Sequence, residues 1–139
     1  MATRSFTVAI PSYHHGANAP SALIVTWSGL LNGDDGAPFV CPNRADKSVQ
    51  LLGTLGAGGN ARIEGSNKQA YNADGTSAGL VTADYTTLND PQANALDMTS
   101  LKMEQVLENP NCVRPRITAG DGTTNLTVVM VVSAPMLKF

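Results

Sequence analysis

The sequence predicts an all-β domain, an antiparallel sandwich, barrel or jelly roll of about eight strands with at most one short helix. Three observations carry that expectation. Apolar and polar residues alternate in short runs, the period of a half-buried strand. Clusters of Gly, Pro, Asn and Asp separate these runs and read as turns. No recurring helical pattern stands between them, which argues against an alternating α/β fold.

The elements follow in order. Phe6, Val8 and Ile10 share one face of the first run, and Ser5, Thr7 and Ala9 the other. This is a half-buried strand that Pro11 ends. Residues 12–20 contain Gly16, Asn18 and Pro20 and form a loop. LIVTW at 23–27 is rich in β-branched side chains and forms the second strand. NGDDG at 32–36 is a dense turn signal. Phe39 and Val40 lie between Pro38 and Pro42. Prolines suit an edge strand or a strand end, because they cannot donate to a ladder.

Residues 48–55 form a strand with Val49 and Leu51 inward, and residues 61–66 return as its partner across the glycine-rich 56–59 turn. The pair is expected to be a β-hairpin. Residues 67–83 are polar and long for a loop, the kind of segment that is functional or mobile. A short strand at 85–88 and a turn at 89–92 follow. Residues 100–108 are the only helical candidate, with Thr99 or Ser100 as cap and Pro110 as stop; a bulged strand is the alternative. Residues 112–118 form a strand placed near an edge by Pro115, and AGDG at 119–122 marks a second hairpin turn. In the most β-prone run, Leu126, Val128, Met130 and Val132 face one way, and Thr127, Val129 and Val131 the other. Both sets are apolar towards its end, which fits a central strand or a face covered by a partner chain. Met136, Leu137 and Phe139 form an apolar tail after Pro135. We expect a single domain over residues 1–139 with extended N- and C-terminal arms.

Composition narrows the function. The 139 residues are 42% hydrophobic and only 14% charged, with net charge −2. An average domain carries about 25% charged residues. Such a chain has no basic field with which to hold nucleic acid, and no apolar run of membrane-spanning length. The N-terminus has no long apolar stretch and is not read as a signal peptide. Neither nucleic acid nor membrane is expected as a partner.

The residues that could carry chemistry have plainer readings. Ser12, His14 and His15 could supply a nucleophile and a base, but no orienting group or oxyanion hole accompanies them, so an exposed loop is expected. The aspartates sit mostly in turns and lack calcium-loop spacing. Gly53, Gly56, Gly58 and Gly59 are not followed by the Lys-Ser/Thr pair of a phosphate loop. Cys41 and Cys112 match no zinc spacing and are expected as free thiols, although they could meet across two strands. We therefore expect no enzyme, metal or cofactor. Arg114 and Arg116 share one strand face, either solvated or gripping a carboxylate-rich partner. Trp27, the only tryptophan, reads as core. With Tyr13, Tyr71 and Tyr85 it could instead line a sugar groove, and a carbohydrate-binding module of a virion surface or tail is the alternative function.

One resemblance reaches further. The block LGTLGAGGNARIEGSN at 52–67 is followed by YTTLNDPQANAL at 85–96, VLENP at 106–110, VRPRITAGDGTT at 113–124 and a Val-rich closing strand. This ordered set, over roughly residues 20–134, resembles capsid cement (decoration) proteins of tailed bacteriophages. The 67–83 segment departs from the pattern. The resemblance implies an antiparallel jelly-roll β-sandwich without catalytic residues. It also implies binding to the outer surface of the capsid shell, where major capsid protein subunits are bridged and the head stabilised. The partners would be the major capsid protein and the protein itself, as a dimer in preference to a trimer. It would be made in the host bacterial cytoplasm and reside on the virion. The expected contact residues are Arg4, Phe6, Arg114, Arg116, Met136, Leu137 and Phe139.

Overall fold

The computed structural model describes residues 1–12 and 21–134. Tyr13, His14 and His15, and the tail residues Met136, Leu137 and Phe139, lie outside the described residues. The strands are β1 (Thr3–Arg4), β2 (Phe6–Ala9), β3 (Ala22–Leu30), β4 (Asp35–Gly36), β5 (Phe39–Val40) and β6 (Asp46–Thr54). They continue with β7 (Asn60–Ser66), β8 (Thr86–Thr87), β9 (Asp97–Met98), β10 (Met103–Val106), β11 (Cys112–Ala119) and β12 (Asn125–Ser133). A single 3-10 turn, Thr82–Asp84, is the helical content of the described residues.

One sheet has five strands in the order β10-β6-β12-β3-β2, all antiparallel. The other runs β1-β4-β11-β7-β8, with β5 also on β11 and β9 also on β7. Its β1–β4 pair is parallel. The pairings nest: β3 with β12, β4 with β11, β6 with β10, and β7 with β8 and β9. Each link β3–β4, β6–β7, β9–β10 and β11–β12 passes from one sheet to the other. This is jelly-roll topology, with β8 and β9 sharing one strand position and β1, β2 and β5 added to the framework.

The core follows from alternation. Val49 and Leu51 of β6, Val25 and Trp27 of β3, and Leu126, Val128, Met130 and Val132 of β12 are all buried. They meet Ala61 and Ile63 of β7 and Val113 and Ile117 of β11 from the opposite sheet. Trp27 is fully buried, and its Nε1–H donates to the Ala37 carbonyl at 2.9 Å. Gly36 admits this packing, because a Cβ there would collide with the Trp27 indole and the Pro115 ring.

Four expectations need correction. First, the strand placed near an edge by Pro115 is β11, which lies inside its sheet between β4 and β7. Second, neither glycine-rich turn closes a hairpin. The 55–59 turn leads from β6 into β7 of the other sheet, and the 120–124 turn leads from β11 back into β12. The two turns are laced together instead: the Ala57 amide donates to Asp121 at 2.9 Å, and the Thr124 hydroxyl donates to the Leu55 carbonyl at 2.7 Å. Third, of the two readings of residues 100–108 the strand holds and the helix does not: Met103–Val106 is β10, paired along β6 without a bulge. Helix propensity over so few residues is weak against an open sheet edge. Fourth, the first run is less buried than its pattern implies. Phe6 packs edge-on against Trp27 and Phe39, but Val8 and Ile10 are exposed, since β2 is the outermost strand of its sheet.

Candidate interaction face

The expected contact arginines are used internally. β11 turns Arg114 and Arg116 to the outer side of the seven-stranded sheet, while Val113 and Ile117 enter the core. Arg114 is 5% exposed. Its Nε donates to Glu64 at 2.7 Å and its Nη1 to Asp35 at 3.1 Å. Arg116 joins the same Glu64 carboxylate at 3.2 Å. Glu64 reaches this position because β7 pairs with β11 in register, Arg114 opposite Glu64. Arg114 is thus enclosed by residues of its own chain, whereas the Arg116 side chain remains part-exposed at the edge of the same cluster.

Arg4 is also committed. Its Nε donates to Asp34 at 2.7 Å, and Asp34 accepts from the Ala2 and Leu31 amides as well. Burial pushes the Asp34 carboxyl up, but the Leu31 amide, Arg4 and the Ala2 amide outweigh it, and the pKa lies below the usual aspartate value. The N-terminal arm is thereby pinned to its own domain. Phe6 belongs to the aromatic cluster with Trp27 and Phe39 rather than to an outer contact.

The long 67–83 segment and the residues after it cover the charged sheet. Tyr85 lies over the Arg114 guanidinium, 3.8 Å from ring centroid to Cζ. Burial pushes the Tyr85 hydroxyl up to about 12, against the lowering pull of Arg114. The Tyr71 hydroxyl donates to the Pro38 carbonyl, Lys68 donates to Asp84, and Asn111 donates to the Lys68 carbonyl. The segment is thus tied down at several points. Cys112 is buried, with its thiol facing the Ser66 carbonyl, and burial pushes its pKa up. Cys41 is buried in the core. Because Cys112 pairs with Val40, Cys41 points to the opposite side of the sheet, and the two thiols are free.

The five-stranded sheet presents the opposite surface. Its outward residues are Thr7 and Ala9 of β2, Ile24, Thr26 and Ser28 of β3, and Thr127, Val129 and Val131 of β12. Ser48, Gln50, Leu52 and Thr54 of β6 and Met103 and Gln105 of β10 complete it. None of these side chains is charged; Asp46 marks one corner. No segment of the described residues pairs across this face. Strand spacing and rise give it a projected area on the order of 500 Å². That approaches the roughly 800 Å² per partner of a standard protein interface. Charge depletion is what marks the core of such interfaces. A shallow depression of about 280 Å³ opens at its corner, lined by Asp46, Lys47, Ser48, Gln105, Val131 and Ser133.

Sequence reasoning touched this face only through its last strand, where the second apolar set with Val129 and Val131 fitted either a central strand or cover by a partner chain; the other strands' contributions were not seen. Of the residues of the alternative sugar groove, Trp27 is in the core and Tyr85 is stacked on Arg114, so neither ring face is open, while Tyr13 lies outside the described residues. A cleft of about 310 Å³ between Asn67, Asp84, Asn89 and Glu108 is polar, but its acids are already engaged. Glu108 accepts from the Asn89 amide and side chain, and Asp84 from Lys68 and the Val81 amide.

No family model matches the chain, and no curated protein matches it. Among solved structures the chain is similar to peruvianin-I, a cysteine peptidase from Thevetia peruviana latex. Identity is 14% and the TM-score 0.42, over 93% of this chain and 61% of that one. The chain thus spans less than two thirds of that protein's length, and so slight a likeness supports no statement about activity.

Proposed function

We propose that this protein is a structural component of a bacteriophage virion, bound to the outer surface of the capsid shell. There it bridges neighbouring major capsid protein subunits and stabilises the head. The observation that carries the reading is the open, uncharged outer face of the five-stranded sheet. A flat face of that size suits another protein surface better than a small molecule. On the opposite sheet the charged side chains are engaged in ion pairs and Tyr85 covers Arg114, so among the described residues the five-stranded sheet offers the broader uncharged face. The ordered motifs that resemble cement proteins, and the jelly-roll topology which that resemblance implies, point the same way. Many weak contacts repeated over a shell would give avidity without high affinity per copy.

The reading is tested on particles of the encoding phage. Removing this protein should lower their resistance to heat and osmotic shock, and adding it back should restore both. Unchanged resistance would overturn the stabilising role.

A further inference from the structure

We propose that two copies of this chain pair through the free edge of β10, joining their five-stranded sheets into one continuous ten-stranded sheet. β10 pairs with β6 on one side, and no strand of the described residues pairs on the other. The Leu51 amide donates to the Lys102 carbonyl at 2.9 Å, and Met103 lies opposite Gln50. By antiparallel alternation, Lys102, Glu104 and Val106 turn their backbone groups towards β6. Met103 and Gln105 turn theirs outward. The next residue in that alternation, Leu107, donates to the Asn89 carbonyl, which closes the edge beyond it.

The edge is short and carries Lys102 and Glu104, but these charges are of opposite sign, and the apolar side chains beside them are open, Met103 being 61% exposed and Leu101 49%. Its charges are also self-complementary. Backbone groups that point outward can pair only with others that do so. An antiparallel two-fold must therefore centre on Lys102, Met103 or Glu104 or lie further along, with odd positions opposite odd. Centring on Met103 sets Met103 against its copy and Lys102 against Glu104 of the second copy, twice. Centring on Lys102 opposes two ammonium groups, and centring on Glu104 opposes two carboxylates. Among these three centres the charge pattern selects Met103, with Glu104 as the second copy's acceptor for Lys102; a centre on Gln105 would need the Leu107 amide, which already donates to the Asn89 carbonyl. Already in one chain, Lys102 lies 3.4 Å from Glu104, so the four charges would alternate in sign across the seam. The joined sheet would extend the uncharged outer face across both copies.

The seam is short, at the small end of interface sizes, so the pairing is concentration-dependent. Sedimentation of the purified full chain over a micromolar series tests it. The apparent mass should rise towards twice the monomer. Glu104→Lys should weaken association by at least about tenfold, because lysine then faces lysine twice. The exchange Lys102→Glu with Glu104→Lys should restore it, and circular dichroism would show that each variant is folded. Gln105→Pro, which removes an outward amide, should weaken it in parallel. A wild-type monomer at every concentration, wild-type association by Glu104→Lys, or failure of a folded exchange variant to recover would each overturn the pairing. None of these results bears on the shell reading, which is read from particle resistance.

Discussion

Replacing Glu64 with alanine should lower the melting temperature by about 10 °C, while leaving any docking through the open sheet face intact. Glu64 is 2% exposed and is the shared acceptor for Arg114 and Arg116. Without it, Arg114 retains only Asp35 at 3.1 Å and the Tyr85 ring as partners in a nearly closed site. Breaking a buried ion pair from one side costs about 3–5 kcal/mol. The surviving partners favour the lower end, about 3 kcal/mol. Unfolding entropy of about 2.1 cal/mol/K per residue gives about 0.29 kcal/mol/K for this chain, hence the 10 °C. Thermal unfolding followed by circular dichroism is the assay, with Arg114→Ala and the double variant completing a mutant cycle. The Arg114–Glu64 coupling should persist at high salt, since buried charges are poorly screened. A shift below about 3 °C, or a coupling that disappears in salt, would refute the claim that these arginines serve the fold rather than a partner.

Further outcomes follow from other parts of the structure. Val129→Asp puts a carboxylate at the centre of the open face, opposite Thr26 and Gln50; shell binding in a sedimentation assay should be lost, with stability changed by about 1 kcal/mol or less. Trp27→Phe leaves the Ala37 carbonyl without its donor and opens a gap in the core, costing about 2–3 kcal/mol, readable as a midpoint shift in denaturant. Hydrogen bonds from Thr123 and the Ala57 amide hold Asp121 down to about 2, so its stabilisation is complete above the ordinary aspartate pKa and is lost as pH falls towards 2. Asp34, also lowered, acts in the same direction, and Asp121→Asn should flatten the acid limb of the stability–pH curve.

Much of the fold was readable because alternation is a local property. The inward set of β12, Val49 and Leu51 of β6, and the buried Trp27 all follow from side-chain period and size. Pairing was not readable. In a jelly roll the partner of β3 is β12, nearly a chain length away, and the turns at 55–59 and 120–124 have hairpin chemistry while crossing between sheets. The β10 segment has helical propensity that only its place beside β6 overrides. Arg114 looked like a surface residue because Glu64 and Asp35, which neutralise it, are 50 and 79 residues distant. The open face has the same origin. Each strand contributes two to four uncharged residues, and only the register assembles them into one surface.

The central claim is that the protein belongs to the shell of a virion. A quantitative gel of purified, expanded particles of the encoding phage tests it most directly. The account predicts a band for this chain with a copy number comparable to that of the major capsid protein. Absence of the band, or the trace amount of a tail component, would contradict it.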